Sequence, residues 1–141
     1  MRRKLHGFTL IEMMIVVAII AVLLTIGTQK WAGMTNKAKE GASHGAQGTL
    51  RSALAIYYGD NEKEYPTDNL SCLLIGGRYI PLIPAAQFAP MHEANAVVRA
   101  ETAVTDSGGW SYNNDPDDQN WGHLLAGCDH ADSRGNVWSS Y

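Results

Sequence analysis

Gly7-Phe8-Thr9-Leu10-Ile11-Glu12-Met13 is the stretch from which the architecture of this chain follows. A short basic leader, Met1-Arg2-Arg3-Lys4-Leu5-His6, precedes it, and a nearly unbroken apolar run continues to Gly27. About 20 apolar residues cross a bilayer as a helix. Glu12 sits inside that run, five residues beyond the glycine. A charged side chain at the centre of a membrane helix costs roughly 2.5–3.5 kcal/mol on insertion scales, so it calls for a partner. An ordinary secretory signal also starts basic and continues apolar. Here the run is long for such a signal, it contains a carboxylate, and Thr25-Ile26-Gly27 is a poor substitute for an A-x-A cleavage site. A plain signal anchor fits the length and leaves Glu12 unexplained.

The segment resembles the class III signal of type IV prepilins and pseudopilins, with matches at Gly7, Phe8, Thr9, Leu10 and Glu12. The resemblance implies cleavage between Gly7 and Phe8 by prepilin peptidase and N-methylation of Phe8. It implies that Glu12 meets the Phe8 amine of a neighbouring subunit, and that an inner-membrane assembly platform builds a helical homo-oligomer. It places the subunit in the inner membrane, in contact with lipid, before assembly, then in a periplasmic or cell-surface filament. Family members commonly carry a proline where Gln29 stands here, so Gly27 is the expected weak point of this helix.

The chain has 141 residues, room for one small domain beside the membrane segment. It carries 11 Lys+Arg against 14 Asp+Glu, and removing the leader with Arg2, Arg3 and Lys4 leaves 8 against 14. No basic stripe points to nucleic acid. Basic residues before the apolar run hold the N-terminus in the cytoplasm and place everything after Lys30 outside. In an exported domain the cysteine pair, Cys72 and Cys128, favours a disulfide. It would close a loop of about 57 residues, worth about 4 kcal/mol in the chain-entropy account. A zinc site of His123, Cys128 and His130 matches none of the usual ligand spacings.

The expected fold is α+β: a leader 1–7, a membrane and assembly half of a helix at 8–29, and an exported domain at 30–141. One helix is expected from Phe8 to about Tyr58, a rod of roughly 76 Å at 1.5 Å per residue. Beyond the span, Trp31, Met34, Ala38, Ala42, Ala46, Leu50, Ala53 and Tyr57 recur at three- and four-residue intervals, an apolar stripe that needs covering. Gln47 belongs to the polar remainder. The glycines at 27, 33, 41, 45 and 48 suit a helix that packs closely on its own copies or softens during assembly.

Gly59-Asp60-Asn61 ends the helix. The run Ala53–Asn61 with Tyr65-Pro66-Thr67 resembles the same region of the major pseudopilin of type II secretion systems. Segment 70–95 reads as a loop, turning at Gly76-Gly77 and kept irregular by Pro81, Pro84 and Pro90. Three stretches, 96–104, 109–113 and 136–141, read as strands of a small antiparallel sheet with the helix as its lid.

Asp115, Asp117, Asp118, Asp129 and Asp132 are candidate calcium ligands, since oxygen-rich loops hold that ion and major pseudopilins bind it in a comparable C-terminal loop. Solvated turn residues explain the same cluster. Asp129, His130 and Ser133 have the residue types of a triad, but types without geometry carry no catalysis. No phosphate loop, H-E-x-x-H or C-x-x-C occurs. Trp110, Trp121, Trp138 and Tyr141 read as core residues. The expected activity is structural and not enzymatic. A disulfide into the C-terminal region favours a pilus subunit, and Tyr65-Pro66-Thr67 favours a pseudopilin of type II secretion. A membrane-anchored binding domain that never polymerises is the reading from outside the family.

Overall fold

The computed structural model describes residues 7–141; the leader residues 1–6 lie outside the described residues. Helix α1 runs Leu10–Asp60, then a 3₁₀ helix Ser71–Gly77, strands β1 (Val98–Ala100), β2 (Trp110–Tyr112) and β3 (Leu124–Ala126), and a 3₁₀ turn Trp138–Ser140. The fold is α+β and pilin-like in its layout, a long N-terminal apolar helix with a small sheet. Packing divides the chain into a first unit ending at Thr35 and a second, Asn36–Tyr141.

In the first unit, Leu10–Gly27 has a mean hydropathy of 2.7 and no residue covered by the rest of the chain. By length and composition it can cross a membrane.

In the second unit the covered face of α1 is Ser43, Gln47, Leu50, Ala53 and Leu54. This corrects the expected stripe at its start: Trp31, Met34, Ala38 and Ala42 are exposed. Two polar residues lie on the buried face because each finds partners there. Ser43 Oγ donates to the Gln87 carbonyl at 3.0 Å and accepts from the Gln87 N–H at 2.7 Å. Gln47 Nε2 donates to the Tyr141 oxygen at 3.1 Å, and Arg51 Nη2 donates to the Leu124 carbonyl at 2.9 Å. Burial of a polar group without such partners would cost free energy, so the face is selected by pairing as much as by hydrophobicity.

The sheet corrects the expectation of a purely antiparallel one. β2 is central, antiparallel to β3 (Trp110↔Ala126, Tyr112↔Leu124) and parallel to β1 (Val98↔Trp110, Ala100↔Tyr112). The connection 101–109 is long enough to carry the chain back, so β2 starts beside the start of β1. The third strand is Leu124–Ala126, and not the expected 136–141, which folds as a bridge at Val137 and a 3₁₀ turn. Only three residues of the expected strand 96–104 pair, Val98–Ala100.

The core gathers Leu50 and Leu54 of α1, Leu70, Leu73, Ile80 and Phe88 of the connecting segment, Trp110 and Tyr112 of β2, Leu124 of β3, and Trp138. Both aromatic residues of β2 satisfy their polar atoms: Trp110 Nε1 donates to the Pro84 carbonyl at 2.8 Å and Tyr112 Oη to the Pro66 carbonyl at 2.7 Å. The Tyr65-Pro66-Thr67 stretch is thereby tied to the sheet, and Asn114 Nδ2 adds a bond to the Thr67 carbonyl at 2.8 Å. Gly122 has φ +84°, and a Cβ there would come within 2.5 Å of the Tyr65 ring. Trp121 packs edge-on against Tyr65, and its indole nitrogen is buried without a partner.

Segment 70–95 is less irregular than expected, because Asp68 starts a 3₁₀ helix. Its carboxylate accepts from Leu70 N at 3.0 Å, Ser71 Oγ at 2.6 Å and Cys72 N at 2.9 Å. Burial opposes ionisation of Asp68, but the bonds from Ser71, Cys72 and Leu70 hold its pKa below the usual value. A carboxylate with a depressed folded pKa contributes stability that is complete above its unfolded pKa of about 3.9 and lost as pH falls through the folded value. Asp68→Ala should cost about 1–2 kcal/mol at neutral pH. The difference from wild type should shrink below about pH 4, as read from urea midpoints of the detergent-solubilised chain. An undiminished difference at the lowest pH would show that the carboxylate charge is not what holds this turn.

Candidate functional site

The site begins at Gly7, which precedes the helix. A Cβ built at Gly7 meets no atom within 4 Å. Neither space nor a positive φ in the fold therefore demands glycine there. Phe8 follows, 78% exposed.

Thr9 and Glu12 then form a reciprocal cap. The Thr9 N–H donates to Glu12 Oε2 at 2.8 Å, Thr9 Oγ1 donates to the same oxygen at 2.9 Å, and the Glu12 N–H donates to Thr9 Oγ1 at 3.2 Å. Thr-x-x-Glu before an apolar run is the capping box, and it explains why α1 starts at Leu10 and not at Phe8. Glu12 is thus an acid in the first helical turn, where the unpaired N–H groups and the helix dipole favour negative charge. Its need for a partner is met in part by its own chain. The signal for this cap stands in the sequence as the three-residue spacing from Thr9 to Glu12, which hydropathy does not register.

The remaining candidate residues are dispersed. The expected Cys72–Cys128 disulfide is not formed; both are free thiols. Cys72 sits in the 3₁₀ helix beside Asp68 and Tyr57, and burial together with the Asp68 charge pushes its pKa up to about 11. Cys128 lies past β3, with Sγ 3.6 Å from His130 Nδ1, and burial raises its pKa too. The fold delivers the two sulfurs to different neighbourhoods, which sequence parity does not register.

The five aspartates do not converge. Asp115 Oδ1 accepts from Asp117 N, and Asp118 Oδ1 accepts from Asn120 N. Asp132 accepts from the backbone of Arg134 and Asn136 and from Tyr141 Oη. Asp129 lies apart from these and donates its N–H to Asp106. Ser133 bonds Glu40 through both its N–H and Oγ, and His130 faces Asp106 and Cys128, so no triad forms. His123 accepts from Asn113 N through its carbonyl and stands by Arg51 and Tyr65, away from Cys128. Sequence reasoning missed the grouping of His92, Asp106, Cys128 and His130, whose ligand atoms all lie within 4.8 Å of one another.

Residues 2–28 match the family model of the prokaryotic N-terminal methylation motif. The chain therefore carries a class III signal of the kind that begins type IV pilins and pseudopilins. No curated protein and no solved structure matches the chain.

Proposed function

We propose that this chain is a structural subunit of a type IV pilus-like filament, cut by prepilin peptidase between Gly7 and Phe8, methylated on Phe8 and polymerised through α1. The observation that carries this reading is the methylation motif at residues 2–28, set on an apolar span that the chain itself leaves uncovered. Cleavage removes Arg2, Arg3 and Lys4 and creates an ammonium on Phe8, four residues before Glu12. In the membrane the Thr9 cap shelters the Glu12 carboxylate. In the filament the Phe8 ammonium of an adjacent subunit takes up that carboxylate, and opposite charge at close range offsets the desolvation of both. One amine and one carboxylate per subunit set an axial register. The exposed side chains of Phe8, Leu10, Ile11 and their successors are then buried against other copies. The chain acts by assembly and not by catalysis.

A pseudopilin role in type II secretion is the second reading. The tying of Tyr65-Pro66-Thr67 to the sheet through Tyr112 and Asn114 supports it, and the free thiols remove the disulfide that favoured a surface pilus. Electron microscopy of producing cells, paired with assays of exported proteins after deletion of the gene, separates these roles. Loss of surface filaments marks the pilus and loss of export marks the pseudopilus. If neither changes, the chain is an anchored domain and the proposal fails.

A further inference from the structure

We propose that His92, Asp106, Cys128 and His130 form a binding site for a zinc-class divalent cation in the exported domain. The four residues come from three loops. His92 follows the turn at Phe88–Met91, Asp106 lies in the β1–β2 connection with φ 50°, and Cys128 and His130 follow β3. Two backbone bonds hold the last two loops together, Gly108 N to the Gly127 carbonyl at 2.8 Å and Gly127 N to the Gly109 carbonyl at 2.9 Å. A Cβ at Gly127 would stand 2.9 Å from the Gly108 oxygen, so glycine permits this approach.

Asp106 Oδ1 is 3.0 Å from His92 Nε2 and 3.2 Å from His130 Nδ1, and Cys128 Sγ is 3.6 Å from that same Nδ1. Around a tetrahedral zinc ion, with bonds near 2.0–2.3 Å, adjacent ligand atoms stand about 3.3–3.6 Å apart. Three of the spacings are already close to that range, and the widest must contract by about 1 Å.

The donor set selects the ion. Two imidazoles, a thiolate and one carboxylate suit zinc, whereas calcium takes six to eight oxygens. Hydrogen bonding alone serves the group less well. With His130 Nδ1 donating to Asp106, the Cys128 S–H is left to that same carboxylate, which already faces His92 Nε2 and accepts from the Asp129 N–H. A cation satisfies both atoms: the thiol proton passes to solvent, the thiolate and the imidazole lone pairs bind the metal, and the carboxylate turns from acceptor to ligand. Four protein ligands make a closed structural site, which would join three loops in a domain whose cysteines are unbridged. This inference is independent of the filament reading, since it concerns the stability of the domain before assembly.

The test uses the full chain, purified in detergent, stripped with chelator and titrated with cobalt(II). The expected result is one equivalent bound, with a thiolate-to-cobalt charge-transfer band and the intense visible bands of a tetrahedral centre. Zinc should displace the cobalt and calcium should not. Cys128→Ser should abolish the charge-transfer band and Cys72→Ser should leave it intact. His92→Gln and His130→Gln should each weaken binding beyond the roughly 10–100-fold lost when a group that only orients a ligand is removed. No thiolate band in the wild-type chain would overturn the proposal and leave a hydrogen-bonded cluster. So would a band that survives Cys128→Ser, or one lost in Cys72→Ser. Should the histidine variants fail to fold, the wild-type and Cys72→Ser spectra still decide.

Discussion

A Gly7→Phe chain is expected to accumulate in the membrane at full length. Its intact mass should exceed that of the mature wild-type subunit by the mass of the uncut leader less the methyl group. The structure makes this a clean test, because a Cβ at position 7 meets nothing within 4 Å and the residue stands outside α1. Folding of the C-terminal domain should therefore be unchanged, and the fault should lie in recognition at the cleavage site. The consequence for assembly is electrostatic. Arg2, Arg3 and Lys4 stay attached, and a basic residue at the centre of an apolar helix costs roughly 2.5–3.5 kcal/mol on insertion scales. Three such charges beside the apolar start of α1 should exclude the chain from a filament. Recovery of a subunit that starts at methylated Phe8 from the Gly7→Phe strain would refute the assignment of the cleavage site.

Glu12→Leu and Glu12→Gln are expected to insert normally and to be missing from filaments. Glutamine retains the reach and the acceptor of the capping box but carries no charge, so it separates the cap seen in the structure from the charge that the proposed assembly uses. Removing one partner of a buried ion pair costs about 3–5 kcal/mol. At about 1.4 kcal/mol per decade, that weakens each subunit contact by roughly 100- to 4000-fold. Thr9→Val removes the hydroxyl that bonds Glu12 and keeps the charge, so it should assemble with a smaller loss. The measurement is the ratio of sheared filament to membrane-bound subunit in each strain. Normal filament yield from Glu12→Gln would mean that the cap, and not the ammonium of a neighbour, is the purpose of this carboxylate.

Hydropathy shows a span and one acid within it, and the helix of the structure is the one expected, displaced by two residues at each end. The displacement at the start has a local cause, the Thr9–Glu12 box. The displacement at the end reflects a turn in which Lys63 N reaches the Tyr58 carbonyl and Glu62 and Lys63 adopt positive φ. Residues 110–112 were legible as a strand because Trp110 and Tyr112 bracket Ser111. Leu124–Ala126 was not legible. Three residues give too short a period to tell strand from coil, and their pairing with β2 is non-local. Gln47 reads as solvent-facing, and Ser43 gives no sign of burial, since polarity is local information. Their partners at Tyr141 and Gln87 are remote in sequence.

By itself the sequence determined whatever depends on neighbours along the chain: the basic leader, the glycine–phenylalanine junction, the bilayer-length apolar run, and the helix that continues from it. Each is a matter of composition or of spacing within a few residues, and the physics that reads it acts at that range. Only the tertiary structure decided the direction of β1, the separation of Cys72 from Cys128, the dispersal of the aspartates and the meeting of His92 with Asp106, Cys128 and His130. Those outcomes depend on loop paths through space, and a thiol or an imidazole carries no local mark of which distant side chain the folded chain will bring to it.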